Sequence, residues 1–146
     1  MTVSLKCQYA LRAVFELALR DSNSPARIAD IAAAQGIPLH FLENILNELK
    51  RTGIVRSFRG KHGGYALARS PGSVSVGEIV RSIEGPMLTA GCVNGTSDTC
   101  PAQGQCVFLP MWVELEQAIS DVYDSTTFGD LVSRHQQQAA VLDYVI

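Results

Sequence analysis

The sequence predicts a mostly α-helical chain with one small β-hairpin, and three observations lead to this fold class. First, apolar residues recur at helical spacing in segments 4–20, 38–51 and 110–123. Second, segments 54–58 and 65–68 have strand-like apolar content and are joined by a glycine-rich turn. Third, charged residues make up 18% and hydrophobic residues 47% of the chain, which is typical of a folded protein rather than a disordered one.

Basic and acidic residues are divided unequally along the 146 residues. Residues 1–81 hold 11 Lys+Arg and 6 Asp+Glu, whereas residues 82–146 hold 1 and 8. The net charge is therefore +5 in the first part and −7 in the second, which gives −2 for the whole chain. A basic front part predicts a polyanionic partner, and the overall charge hides this signal.

Neither a membrane-spanning segment nor a secretory leader is expected. No apolar run is long enough to cross a bilayer. The N-terminal residues lack the basic start, apolar middle and small-residue cleavage site of a signal peptide. We therefore expect a cytoplasmic protein, in which clustered cysteines more often bind metal or respond to redox than form stable disulfides.

The first three predicted helices have the layout of a helix-turn-helix. A helix over 4–20 is followed by turn residues and by a short alanine-rich helix over 27–35. Gly36 suits a left-handed cap, and Pro38 can open the third helix. The apolar stripe of this third helix is Phe41, Leu42, Ile45, Leu46 and Leu49, and its polar edge is His40, Glu43, Asn44, Asn47 and Lys50. Two helices joined by a tight glycine turn predict a helix-turn-helix, although an ordinary helical hairpin has the same pattern.

A basic hairpin follows this pair of helices. Residues 50–69 contain six basic residues and no acidic one. A β-hairpin with a flexible basic tip, directly after a candidate recognition helix, predicts a DNA-binding wing. Its glycines let the backbone approach phosphates, and Arg59, Lys61 and His62 supply charge or reach a minor groove. A nucleotide-binding phosphate loop is disfavoured because no strand-then-helix arrangement surrounds the glycines, and a solvated charged hairpin is disfavoured by six unopposed cations.

The second half of the chain predicts two further helices and a short C-terminal one. Residues 75–84 form one helix, and residues 110–123 form a long one with a narrow apolar stripe. A helix with such a stripe needs a partner, and antiparallel pairing with its own copy in a homodimer would supply one. Thr127 can cap a short helix through Val132, whereas the tail at 135–146 has no predicted structure.

Three of the four cysteines lie between these helices, in a polar segment with the spacing C-x7-C-x5-C: Cys92, Cys100 and Cys106. The segment is rich in Gly, Ser, Thr, Asn and Gln, which predicts a loop. Thiols in a loop need a chemical reason, because isolated cysteines usually lie buried in cores. We therefore predict a winged helix-turn-helix DNA-binding domain over 1–84. The remainder, 85–146, holds the cysteine loop (about 87–108), the dimerisation helix and the tail.

Taken together, these segments resemble the winged-helix repressor family typified by the iron–sulfur cluster regulator IscR, with the nitric-oxide sensor NsrR and the iron regulator RirA. The matching motifs cover nearly the whole chain: Tyr9–Arg12, Ile28–Ile31, Ile37–Glu43, the wing Arg59–Tyr65, Val76–Ile79, the three cysteines and Gly129–Val132. A wing signature followed by a triple-cysteine loop is far more specific than a helix-turn-helix alone.

The resemblance implies a homodimeric transcription regulator, acting as a repressor, whose long helices pair and whose recognition helices enter successive major grooves of an operator. The DNA-binding residues that the resemblance implies are His40, Glu43, Asn44, Arg59, Lys61 and Tyr65. His62 of the wing tip is added to this set because of its position among the wing cations. The base-reading part agrees with chemistry, because Asn can pair with an adenine edge and Glu can accept from cytosine. Phe41 and Leu42 are expected to pack rather than to read bases.

The family's loop cysteines hold an iron–sulfur cluster, so the resemblance implies a [2Fe-2S] or [4Fe-4S] cluster here. Soft thiolate donors suit iron in such clusters. The IscR type has the spacing C-x5-C-x5-C and a histidine three residues after the last cysteine. Here the first gap is seven residues and that position is Leu109. The fourth ligand stays open among Cys7, Gln8, a partner residue and none, and Cys7 is more readily explained as a buried structural cysteine.

Other interpretations of the cysteine loop remain. Structural zinc is disfavoured, because zinc takes four ligands, commonly at shorter C-x2-4-C spacing. A cluster-free thiol–disulfide switch would make the chain a redox-sensing regulator with the same DNA module. A regulator acting through an enzyme partner is disfavoured by the retained basic wing. Catalysis is not predicted, since His40, His62 and His135 are scattered and no nucleophile–base arrangement is visible.

Overall fold

The structure is a computed structural model that describes residues 3–20, 23–86 and 105–145. Its α-helices and β-strands in chain order are α1 (Leu5–Leu19), α2 (Ile28–Gln35), α3 (Leu39–Arg51), β1 (Val55–Phe58), β2 (Gly64–Leu67), α4 (Val76–Glu84), α5 (Leu109–Ser125) and α6 (Phe128–Val145), and a short 3-10 helix (Pro71–Ser73) precedes α4. The predicted fold class, mostly helical with one β-hairpin, is confirmed. In these ranges no helix is both long enough and apolar enough to cross a membrane.

Helices α1, α2 and α3 begin and end close to the predicted residues. Helix α1 starts after Ser4, whose hydroxyl oxygen accepts a hydrogen bond from the Cys7 amide at 3.1 Å. Helix α2 ends at Gly36, whose φ of 62° lies in the left-handed region that favours glycine. Pro38 stands at the position just before α3 rather than inside its first turn. The predicted helix-turn-helix is therefore present.

The hydrophobic core lies around α1, which packs against α2, α3, α4, α6 and β2. Most of the predicted stripe of α3 is fully buried in it, namely Leu42, Ile45, Leu46 and Leu49. Phe41 differs, because its side chain is 46% exposed. It lies at the edge of the core, where the centroid of its ring is 6.3 Å from that of Tyr9. Leu5, the first residue of α1, lies outside the core and is 58% exposed.

A buried carboxylate ties α1 to the end of α2. Glu16 is 8% exposed, and its Oε1 accepts hydrogen bonds from Arg20 Nε at 2.9 Å and Nη2 at 2.8 Å. Its Oε2 accepts from Gln35 Nε2 at 2.9 Å, next to Gly36. A buried charge is tolerated when it is paired and hydrogen-bonded in this way. The network therefore helps to fix the turn from which α3 starts.

The β-hairpin is joined to the segment before α2. Strands β1 and β2 pair antiparallel, from Val55 opposite Leu67 to Phe58 opposite Gly64. Beyond them, Ala26 and Tyr65 exchange two backbone hydrogen bonds of 2.8 Å each, the Ala26–Tyr65 bridge. A Cβ added at Gly64 would overlap the Ala26 carbonyl oxygen and lie 2.6 Å from its carbon. Glycine at 64 therefore allows the hairpin to pack closely against this segment.

The junction between α5 and α6 is held against α4. Helix α4 begins with a capping box between Ser75 and Glu78, as the predicted helix over 75–84 requires. The Val76 amide donates to the Thr126 carbonyl at 2.9 Å, and the Phe128 amide donates to the Val74 carbonyl at 3.0 Å. These bonds bring Phe128 into the core.

The C-terminal tail differs from the prediction. Instead of a short helix to Val132 and an unstructured tail, one helix, α6, continues to Val145. Thr127 does cap it, since its hydroxyl oxygen accepts from the Asp130 amide at 3.1 Å. The residues beyond Val132 are good helix formers such as Gln, Ala and Leu, but they are exposed and lack the apolar periodicity on which the prediction depended.

Candidate nucleic-acid interface and cysteine segment

Helix α3 presents its predicted polar edge to the outside. His40, Glu43 and Asn44 are all exposed, and the fully buried stripe on the opposite side fixes the rotation of the helix about its axis. The His40 ring lies 4.4 Å from the Phe41 ring, so its apolar face is partly covered. The three side chains expected to read bases are thus brought together on one accessible face.

The wing tip forms a tight turn with its cations outside. The Gly63 amide donates to the Gly60 carbonyl at 3.0 Å, and Gly60 has a φ of 99°. Arg59, Lys61 and His62 are exposed on this turn. The basic residues therefore lie at the tip of the β-hairpin, as the sequence predicted.

Tyr65 differs from the other residues predicted to contact DNA. It is half-buried, packs against the hydrophobic core and forms the Ala26–Tyr65 bridge through its backbone. Its backbone helps to hold β2 in place, and only part of its side chain is exposed to a ligand.

A cleft of about 460 Å³ lies between the wing and the N-terminus of α2. Its lining residues are Arg27, Ile28, Ser57, Phe58, Arg59, Gly60, Lys61, Gly63, Gly64 and Tyr65. The Nη2 of Arg27 lies 3.4 Å from the Lys61 carbonyl oxygen. Arg27 is not among the residues predicted to bind DNA, because 34 residues separate it from Lys61. The available signal was an arginine at the position before a helix, where a capping side chain is usual.

Only one of the three loop cysteines lies in the described residues. Cys106 is half-buried and free, and its carbonyl accepts from the Leu109 amide at 3.2 Å at the start of α5. Cys92 and Cys100 lie outside the described residues. Within the described ranges, no three His, Cys, Asp or Glu side chains are grouped so that they could hold a metal ion.

Cys7 and Gln8, two candidates for a fourth ligand, have different surroundings. Cys7 is fully buried, and burial raises the pKa of its thiol to about 11, with the negative charge of Glu84 and a hydrogen bond to that carboxylate adding to the effect. This environment opposes the thiolate that a metal ligand requires. Gln8 is exposed, and its Nε2 donates to the Val3 carbonyl at 3.2 Å.

The fold and this surface define a winged helix-turn-helix protein of the DNA-binding class. A family model described as Rrf2, "Iron-dependent Transcriptional regulator", matches residues 3–134. The chain therefore belongs to the Rrf2 family of DNA-binding transcriptional regulators.

Similar proteins and a similar solved structure agree with this membership. The chain is 33% identical to the transcriptional regulator CymR of Bacillus subtilis, over 99% of this chain and 100% of CymR. It is 30% identical to the regulator IscR of Klebsiella pneumoniae, over 93% of this chain and 82% of IscR. The solved structure of T. potens IscR superimposes with a TM-score of 0.77 at 30% identity, over 94% of this chain and 90% of that one. The predicted resemblance to IscR and the prediction that the chain is not an enzyme are thus confirmed.

Proposed function

We propose that this chain is a cytoplasmic, homodimeric repressor whose affinity for its operator depends on the chemical state of Cys92, Cys100 and Cys106. The observation that carries the DNA-binding part is that the polar edge of α3 and the basic wing tip are both exposed. Both are attached to the same core, since α3 packs into it through its buried stripe and the wing is joined to the segment before α2 by the Ala26–Tyr65 bridge.

The side chains at this surface divide by chemistry. His40, Glu43 and Asn44 carry directional hydrogen-bonding groups and would read base edges in the major groove. Arg59, Lys61 and His62 would contact phosphates or the minor groove, where charge matters more than sequence. Tyr65 would reach the DNA backbone only through the accessible part of its side chain.

Replacing Arg59 or Lys61 with Ala should weaken binding to operator and unrelated DNA alike. Each loss of one phosphate contact should also lower the slope of log affinity against log salt by about 1. Fluorescence-anisotropy titrations of labelled duplexes over a range of salt concentrations measure both effects. Replacing Glu43 or Asn44 should instead reduce the discrimination between bases at one position of the operator, by about 1–3 kcal/mol of binding free energy. An unchanged salt slope in both cation variants would contradict the role of the wing.

The three cysteines form a donor set whose chemistry suits an iron–sulfur cluster, since soft thiolates are the usual ligands of such iron. A bound cluster would supply sensitivity to oxygen, nitric oxide or iron supply. Cys106 would then hold the loop close to α5, because its carbonyl already bonds the first residue of that helix. Support also comes from the family description, which names iron dependence.

Helix α5 can transmit a change in the loop to the DNA-binding domain. Near its C-terminus, Asp124 pairs with Arg81 of α4, with one of the two hydrogen bonds at 3.3 Å. Gly77 of α4 lies so close that an added Cβ would overlap the Asp124 carboxylate. A shift of α5 would therefore move α4, and in a dimer it would change the separation of the two α3 helices.

The apolar side chains of α5 support the homodimer. No residue of α5 is buried in the single chain, and the exposed apolar ones include Met111, Val113, Leu115 and Val122. Pairing with the α5 of a second copy would cover them, as expected for a self-complementary interface.

Anaerobic purification should give a brown protein that contains iron and sulfide, because three thiolates are available to hold a cluster. Changing Cys92, Cys100 or Cys106 to Ala should each remove the colour, measured by visible absorption and by iron and sulfide assays. Cys7→Ala is the matched control and should keep the colour if Cys7 is structural. A wild-type protein that stays colourless after anaerobic reconstitution would rule out the cluster.

A cluster-free thiol switch is the second candidate. The half-buried free thiol of Cys106 favours it. In that case the colourless protein would lose or gain DNA affinity on mild oxidation, and Cys106→Ala would abolish the response.

A further inference from the structure

We propose that the cleft between the wing and the N-terminus of α2 binds a backbone phosphate of duplex DNA, with Arg27 as the main ligand. This inference rests on the proposed DNA-binding function and adds a contact on α2 to those of α3 and the wing tip. The chemical class of the ligand is a phosphodiester, and the sequence of the duplex does not enter into the contact.

The cleft has fixed walls. On one side is the start of α2, with Arg27 immediately before its first residue, and on the other is the wing. The two hydrogen bonds of the Ala26–Tyr65 bridge join these walls directly beside Arg27. Arg27 Nη2 also reaches across to the Lys61 carbonyl oxygen at 3.4 Å. The exposed guanidinium of Arg27 thus lies between α2 and the wing, and a guanidinium can bind a phosphate through two parallel N–H groups.

The charges that line the cleft all have one sign. Arg27, Arg59 and Lys61 are lining residues, and none of the ten lining residues is acidic. In the described ranges none of these three cations forms an ion pair with a carboxylate, whereas Arg20, Arg69 and Arg81 each do. Asp30, the acidic residue in the first turn of α2, is exposed and does not line the cleft. No lining residue therefore neutralises the positive charge of the cleft.

The backbone at this end of α2 adds to the attraction. Arg27 occupies the cap position, and no side chain caps the helix there. Its carbonyl accepts from the amides of Asp30 and Ile31, but the described residues offer no backbone acceptor for the amide of Ile28, which lines the cleft. Free amides and the positive end of a helix favour an anion. The Arg27 side chain makes no cap and instead adds a positive charge at this end of the helix.

A contact of this kind has a defined role. Because it recognises a phosphate, it would add affinity for every duplex and would hold the wing and α3 in a fixed position against the DNA. It would therefore contribute to positioning rather than to base choice.

The test compares Arg27→Gln with Arg134→Gln, which removes the same charge from an exposed residue of α6. The probes are a labelled duplex that the wild-type chain selects from a random library and a scrambled version of it. For Arg27→Gln we expect affinity about fivefold to tenfold weaker for both duplexes at moderate salt, with the salt slope reduced by about 1. Arg134→Gln should stay within about twofold of the wild type, since Arg134 does not line the cleft. Arg27→Lys, which keeps the charge, should recover most of the slope.

Several outcomes would overturn the proposal. If Arg27→Gln leaves the salt slope unchanged while Arg59→Ala lowers it, the cleft is not a phosphate site, although the proposed function stands. If Arg27→Gln weakens only the selected duplex, Arg27 reads a base instead. If the wild-type chain selects no duplex from the random library, the proposed function fails and this inference fails with it. If Arg27→Gln melts at a lower temperature than the wild type, its weaker binding could come from unfolding, and Arg27→Lys is measured instead. A folded Arg27→Lys variant with a reduced salt slope would contradict a phosphate site that depends on charge.

Discussion

Replacing Phe128 with Ala should lower the free energy of unfolding by about 3–5 kcal/mol. Phe128 is 1% exposed and heads the fully buried side chains of the described residues by volume. Its amide also donates to the Val74 carbonyl at 3.0 Å, so the ring fills the core where α6 joins it. Removing the ring would leave a cavity that neighbouring helices cannot fill without moving.

Tyr144 offers a matched control on the same helix, because its side chain is 95% exposed. Tyr144→Ala should change the free energy of unfolding by less than about 0.5 kcal/mol. Urea denaturation followed by circular dichroism measures both variants under the same conditions. Equal losses in the two variants would show that Phe128 does not fill the core.

Replacing Gly64 with Ala should destabilise the wing and cost about 3 kcal/mol or more. The new Cβ would overlap the Ala26 carbonyl oxygen and lie 2.6 Å from its carbon, and both atoms belong to backbone that has little freedom to move. Overpacking of this kind costs about 1–3 kcal/mol. If the segments separate, each of the two hydrogen bonds of the Ala26–Tyr65 bridge would be lost as well, at about 0.5–1.5 kcal/mol each.

Gly72→Ala is the control for Gly64→Ala, since a Cβ at Gly72 meets no atom within 4 Å. It should leave both stability and DNA affinity unchanged. At a temperature where Gly64→Ala is still folded, that variant should bind DNA more weakly, because its wing is no longer held against α2. Wild-type stability and wild-type affinity in Gly64→Ala would refute the close packing at this position.

The parts of the fold that could be predicted are those that depend on residues close together in the sequence. The stripe from Leu42 to Leu49 recurs at helical spacing, so it revealed α3 and its exposed edge together. Gly36 marked the end of α2, because its left-handed conformation favours glycine. The wing was visible as glycines and unopposed cations between two short apolar runs.

The parts that could not be predicted depend on contacts between distant residues or on weak periodicity. The position of Arg27 beside Lys61 follows from the Ala26–Tyr65 bridge, which no short motif encodes. The second half of α6 is exposed, so no apolar stripe identified it. Phe41 lies at the edge of the core because α3 turns its fully buried stripe inward and leaves that side chain 46% exposed. The cluster ligands stay a prediction, since Cys92 and Cys100 lie outside the described residues.

The burial of Phe128 also has a consequence for how the chain is made. Helices α1 to α4 are synthesised first, but their core lacks one of its largest side chains until residue 128 has left the ribosome. At roughly 5–20 residues per second, several seconds pass between the emergence of Glu84 and that of Phe128. During this interval the recognition helix and the wing exist on an incompletely packed support. A nascent chain therefore completes its DNA-binding unit only after the cysteine loop and α5 have been translated.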